Sequence, residues 1–139
     1  MQDRYLFKAK RVDNGEWVQG ALFDGESHCI IGQEIKFSPY IEHECKIVGY
    51  EVDRNTICQC TGLRDKNGNL IWENDIVRDK HCNFYKVFWQ NNYYQFSWIC
   101  VKSDVFFTGV KWDLWSFKGF EMEVIGNIFD NPELLESEG

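Results

Sequence analysis

The segment from Thr61 to Val77 limits the fold more than any other part of the chain. Asp65-Lys66-Asn67-Gly68-Asn69 is dense turn chemistry, because Asp and Asn side chains bond their own backbone and Asn and Gly tolerate left-handed φ. Leu70-Ile71-Trp72 follows as a buried extended segment. Glu73-Asn74-Asp75 turns the chain again, with Asn74 placed for positive φ, and Ile76-Val77 starts the next strand. Two turns this close leave room only for short strands.

The flanking sequence repeats the logic. Arg4 to Val12 and Glu16 to Phe23 read as a hairpin around Asp13-Asn14-Gly15, and Asn-Gly favours a two-residue type I′ loop. That loop pairs Asp13 with Glu16 and sets Val12 opposite Trp17. Tyr5, Phe7 and Ala9 then share a buried face with Val18, Gly20 and Leu22, leaving Lys8, Lys10 and Gln19 on the wetter face. A second hairpin joins Phe84–Gln90 to Tyr93–Cys100 through Asn91-Asn92. It pairs Gln90 with Tyr93 and puts Tyr85, Val87, Trp89, Tyr94, Phe96 and Trp98 on one face, as a core does.

Between the hairpins, His28 to Ile31 reads as a short strand stopped by Gly32. Pro39 confines Glu34 to Tyr40 to an edge strand or loop. Cys45 to Val52 is a strand and Asp53-Arg54-Asn55 a turn. Toward the C-terminus, strands are expected over Val105 to Thr108, Lys111 to Phe117 and Phe120 to Phe129, the last bent at Gly126. A short terminal helix should follow, with Asn131 as N-cap, Pro132 at the first helical position and Glu133 near the positive end. No internal repeat, low-complexity segment or long linker stands out. Many short strands between turns imply a mainly β domain built from antiparallel hairpins, a barrel or sandwich. At 139 residues the expectation is a single domain spanning 1–139, with an N-terminal hairpin region over about 1–55 and a barrel-like region over about 56–135.

Composition narrows the function classes. Fifteen Lys and Arg against 22 Asp and Glu give a formal charge of −7, which disfavours nucleic-acid binding as a first reading. No apolar run reaches the length of a membrane helix, and residues Met1 to Arg4 lack a signal-peptide core, so a cytoplasmic location with no membrane partner is expected. The six cysteines are then expected as reduced thiols.

Thr61 to Val77 resembles the central pattern of the YopX family of bacteriophage- and prophage-encoded proteins, with Asn74 where the family usually carries Gly. Phe7-Lys8-Ala9 with Trp17-Val18-Gln19-Gly20 resembles the family's N-terminal hairpin. Glu123 to Leu135 resembles its C-terminal signature. The resemblance implies a phage or prophage origin, an SH3-like barrel portion and homo-oligomers in some members. It implies no activity.

The chemistry-bearing residues are scattered. His28-Cys29, His43-Glu44-Cys45, Cys58-Gln59-Cys60 and His81-Cys82 bring ligand types close, but the usual two-to-four-residue spacing of a zinc knuckle is missing. His81 and Cys82 with Asp79 nearby are adjacent on an extended chain and so point apart. Asp65, Glu73 and Asp75 are explained as turn formers. Trp89, Tyr94 and Trp98 could stack bases or sugars, but sharing a face with Val87 and Phe96 marks them as core. Trp112, Leu114, Trp115 and Phe117 form a second aromatic group, apolar on both faces of its strand. No catalytic, cofactor-binding or metal-ligating residue is nominated, and no cofactor. The leading expectation is a non-enzymatic, self-associating module that binds a phage or host macromolecule. The alternatives are a nucleic-acid-binding protein of phage replication or regulation and a metal-dependent hydrolase.

Overall fold

The computed structural model describes residues 2–104, 108–113 and 121–136. It is mainly β, and its contacts divide it into two units, Met1–Gln59 and Cys60–Gly139. The expected strand over Val105 to Thr108 and the group of Leu114, Trp115 and Phe117 lie largely outside the described residues; of that group Trp112 is described, and Thr108 is in a turn.

The first unit holds strands β1 (Phe7–Lys10), β2 (Trp17–Asp24), β3 (Cys29–Phe37) and β4 (Cys45–Glu51), after a 3-10 turn over Asp3–Tyr5. They lie antiparallel in the order β4-β3-β2-β1. The first hairpin forms, but two residues out of the expected register. Phe7 faces Gly20, Ala9 faces Val18 and Lys10 faces Trp17. The loop is Val12–Gly15 rather than Asn14-Gly15, closed by Arg11 N donating to Glu16 O at 2.9 Å and Gly15 N to Arg11 O at 2.9 Å. Val12 is therefore not in the strand. Its N–H goes to Glu51 O at 3.1 Å, while Arg11 bridges to Val52 and its guanidinium lies over the Tyr50 ring. A slip of two residues preserves which side chains share a face, since the period is two. Phe7, Val18 and Leu22 accordingly pack on the buried Ala9, Cys29, Ile31 and Val52. Tyr5, in the 3-10 turn, is exposed. The Lys8 and Lys10 ammoniums sit over the Trp17 ring on the wetter face.

Gly32 does not end β3. The strand runs on to Phe37, and the register with β4 shifts between Gly32 and Glu34, a bulge that absorbs the extra residue. Gly32 lies opposite Gly49. Backbone passes so close here that a Cβ on Gly49 would lie 2.2 Å from Ile31 O, and one on Gly20 2.2 Å from Gly32 O. Beyond the bulge the two strands continue as an arm, with Ile35 facing Ile47 and Phe37 facing Cys45.

Strand β5 (Cys58–Arg64) follows a 3-10 turn over Arg54–Thr56 that Asp53 caps by accepting from Asn55 N. Cys58 and Gln59 pair with Lys8 and Phe7, whereas Cys60 and Arg64 pair with Trp72 and Leu70 of β6 (Leu70–Trp72). The second unit then adds β7 (Asp75–Arg78), β8 (Phe84–Gln90), β9 (Gln95–Lys102), β10 (Lys111–Asp113) and β11 (Glu123–Asn127) in the order β10-β9-β8-β7-β11. Strands β10 and β11 are the two ends of this order, so the sheet is open, and the SH3-like barrel closure implied by the resemblance is not present among the described strands.

The second hairpin repeats the first one's deviation. Gln90 faces Gln95 rather than Tyr93, and the loop is Asn91–Tyr94. Again the slip is two, so Tyr85, Val87 and Trp98 still share a face and are fully buried, with Phe96 packed against them. Tyr94 leaves that set: it ends the loop at φ 51 and is 82% exposed. β11 breaks register between Val124 and Gly126, the expected bend. The terminal helix is a single 3-10 turn, Pro132–Leu135, and Asn131 does not cap it. The Asn131 carboxamide instead accepts from Asn127 N at 3.3 Å.

Candidate functional site

Asp65 is buried, and both of its oxygens are occupied. Oδ1 accepts from Asn67 N and Asn69 N, each at 2.9 Å, and Oδ2 from Val124 N at 3.0 Å and Asn69 Nδ2 at 3.5 Å. Burial raises the Asp65 pKa, but the backbone donors of Val124, Asn69 and Asn67 outweigh it and hold the carboxyl below its ordinary value. Asp75 is also buried and accepts from Trp72 N at 2.8 Å across the turn that Asn74 makes at φ 70. Both carboxylates therefore secure chain reversals, and Glu73 lies in the turn between β6 and β7.

A second loop copies the first. Asp79 Oδ1 accepts from His81 N and Asn83 N, each at 2.9 Å, and Oδ2 from Asn83 Nδ2 at 3.0 Å. In both loops the Asp N–H donates to the Asn carbonyl four residues on, Asp65 to Asn69 and Asp79 to Asn83. In both, the fourth residue is left-handed, Gly68 at φ 83 and Cys82 at φ 62. The sequence signal is a short repeat, Arg64-Asp65-Lys66-Asn67-Gly68-Asn69 and Arg78-Asp79-Lys80-His81-Cys82-Asn83, which corrects the expectation of no internal repeat. It is hard to see because Cys82 replaces the glycine. The second loop is extended by the Tyr85 hydroxyl, which donates to Asp79 Oδ2 at 2.9 Å, and by Ser103 Oγ, 2.6 Å from Asn83 Oδ1. Burial and the Asp79 carboxylate push the Tyr85 phenol far above its ordinary value.

The thiols and imidazoles are dispersed. The Cys29 thiol donates to Asp24 Oδ1 at 3.0 Å, and the Cys58 thiol to Thr56 O at 3.3 Å. Cys60 and Cys100 are buried, Cys45 and Cys82 exposed, and all six are free thiols. His28 Nδ1 lies 2.9 Å from Glu51 Oε1 on the surface. His43 stands at φ 65 near the tip of the β3–β4 arm, 3.4 Å from Glu42. Among the described residues, no three His, Cys, Asp or Glu side chains converge in a way that could hold a metal. Asp79 braces its own loop rather than orienting His81 toward Cys82. Of the three aromatics expected in the core, only Trp98 is fully buried; Trp89, near the hairpin end, is exposed and makes an edge contact with Phe96 at 5.0 Å between ring centres, and Tyr94 is in solvent.

An exposed apolar surface lies on the first unit. Strand β4 ends its sheet and, among the described residues, pairs along its length with β3; apart from the Glu51 carbonyl, which accepts from Val12 N, its other side is an open edge. Along the arm Ile35, Phe37, Ile47 and Val48 are exposed, and Tyr40 near the tip is 94% exposed. At the arm's base an open groove of about 480 Å³ is lined by Leu6, Ala21, Phe23, Ile35 and Ile47. An exposed apolar edge of this kind marks an interaction surface.

Residues 6–136 match a protein family described as YopX protein. The chain is also similar to a solved structure, protein EF1440 from Enterococcus faecalis, at 28% identity and a TM-score of 0.60, over 94% of this chain and 96% of that one. None of the curated proteins matches.

Proposed function

The chain belongs to the YopX family, and from that premise we propose that it is a non-enzymatic binding module that assembles with copies of itself through strand β4, acting in the cytoplasm of a phage-infected or prophage-bearing bacterium. The free β4 edge with its apolar arm carries this reading. A second copy is an apt occupant because the strand is complementary to itself. If two β4 strands pair antiparallel about Val48, Ile47 of one copy faces Gly49 of the other, and Lys46 faces Tyr50. The bulky side chain thus meets the residue without one, and the ammonium meets an aromatic ring. The same two-fold keeps both grooves on one side of the joined sheet, so Ile35, Phe37 and Ile47 of the two copies make a continuous apolar face. The non-enzymatic reading is supported by the engagement of Asp65, Asp75 and Asp79 in turns.

Analytical ultracentrifugation tests it. The expected result is a concentration-dependent dimer or higher species that Val48→Lys reduces to monomer with an unchanged circular dichroism spectrum. A parent protein that stays monomeric at high concentration would overturn the proposal, as would a Val48→Lys variant that associates undiminished.

A further inference from the structure

We propose that the chain assembles through a second interface, in which the outer face of two β4-joined sheets stacks on the same face of another joined pair and the pairs close as a tetramer. This second contact rests on β4 pairing, because the face reaches a sufficient size only when two copies are joined. Register sorts the side chains of the first unit. Cys29, Ile31 and Val52 turn inward to the core, so Phe23 of β2, Ile30, Ile35 and Phe37 of β3 and Ile47 of β4 lie on the opposite side. That side is open. Phe23, Ile35, Phe37 and Ile47 are exposed, Phe37 by 74%. Gly32, the buried residue among them, lies beneath Phe23 and Ile47, whose nearest atoms stand 2.8 and 3.0 Å from where its Cβ would be.

The arm shows why this face needs a cover. Beyond the bulge it is a two-stranded ladder, and two strands alone are marginal in water. Its two sides differ in kind. Ile35 faces Ile47 on one, while Lys36 faces Lys46 on the other, a like-charge pair that destabilises the ladder. Edge pairing through β4 covers neither side. A second layer on the apolar side supplies the burial that the arm lacks, as in a β-sandwich. Among the described residues that β2, β3 and β4 place on that side, Glu51 alone carries a formal charge, and its carboxylate lies 2.9 Å from His28. Glu34 reaches the groove's edge but stands opposite Val48, on the lysine side.

Area decides which occupant fits. At roughly 200 Å² for a large apolar side chain, the exposed fractions of Phe23, Ile35, Phe37 and Ile47 amount to about 400 Å² per copy. A specific interface buries about 800 Å² on each partner. One copy offers half of that, and the pair joined about Val48 offers all of it. The joined sheet has a two-fold axis through its face, so a second pair laid on it by a further two-fold meets the same surface and closes the assembly. Apolar then meets apolar at the centre, and the Glu51–His28 pairs fall toward the rim, where polar groups stay in water.

Sedimentation equilibrium over a wide concentration range tests this. The parent protein should pass from monomer through dimer to tetramer. Phe37→Glu should stop at the dimer, weakening the association of pairs about a hundredfold or more, because every tetramer buries that ring in each of its copies. Ile35→Glu should act in the same way. Both side chains are exposed, so the circular dichroism spectrum of each variant should match the parent's. Val48→Lys should give monomer with no stacked dimer, since a single face is too small. A parent that remains monomeric would overturn the β4 reading and the stacked face with it. A parent that stops at the dimer while Val48→Lys is monomeric would overturn the stacked face alone. So would tetramers of Phe37→Glu and Ile35→Glu that form as readily as the parent's, or a Val48→Lys variant that still stacks.

Discussion

Cys82 holds the left-handed position of a loop whose twin carries Gly68 there, at φ 62 against φ 83. A side chain in that conformation costs about 1–2 kcal/mol relative to glycine's free access to it. Cys82 is exposed, so its thiol has no core to fill in return. Cys82→Gly should therefore leave the loop intact and stabilise the protein by up to about 1 kcal/mol, while Gly68→Cys should destabilise it by a similar amount. Urea unfolding of the two variants measures both, and a Cys82→Gly that destabilises would mean the thiol has a role beyond its backbone geometry. Asn74 at φ 70 is the milder case, since Asn visits this region readily. Its conformation is legible because the turn residues around it demand it. That of Cys82 is not, because cysteine carries no turn propensity and only the twin loop gives it away.

At the scale of elements, both hairpins depart from expectation in the same way. Each loop is two residues longer than the Asn-Gly or Asn-Asn dipeptide suggests, spanning Val12–Gly15 and Asn91–Tyr94. In the first, the strand end is claimed by Glu51 and Val52, which take the hydrogen bonds that a tighter turn would have closed. Because the slip is even, the apolar faces survive and the core residues are those the alternation picks out. The β3–β4 pair differs more, since Gly32 reads as a terminator and is instead part of a bulge. Gly49 across from it has no room for a side chain. Gly49→Ala should cost about 1–3 kcal/mol or more, by forcing a backbone shift at the base of the arm. A thermal melt reads this, and an unchanged midpoint would show that the arm moves freely enough to admit the Cβ.

At the scale of the whole molecule, stability should be bounded by pH on both sides, and the Asp79 loop contributes to each limit. Asp79 is held below the ordinary carboxyl value: burial raises it, and the Asn83 side chain, Asn83 N–H, Tyr85 hydroxyl and His81 N–H outweigh that. Asp65 and Glu123 are lowered too. A carboxyl depressed by folding contributes stability that is complete above its unfolded value, near 4, and is lost as pH falls through the folded one. Tyr85 works in the opposite sense. Its raised pKa means that stability is complete below the unfolded phenol value, near 10, and declines as pH rises above it. The expected melting temperature is flat near neutrality, drops below about pH 4 and declines again above about pH 10. Asp79→Asn should cost about 1–3 kcal/mol at neutral pH and make the acid limb shallower. Tyr85→Phe should make the alkaline limb shallower. A parent protein with no acid limb would contradict the burial and bonding of these carboxylates. By itself the sequence determined the mainly β class, the family, and which side chains of each hairpin share a face. Alternation, turn residues and family motifs are local, and local patterns survive an even slip in register. Only the tertiary structure decided loop lengths, the bulge at Gly32, the open second sheet and the twin Asp loops. Those depend on which distant backbone groups complete a strand's hydrogen bonds, and no stretch of sequence contains its own partner.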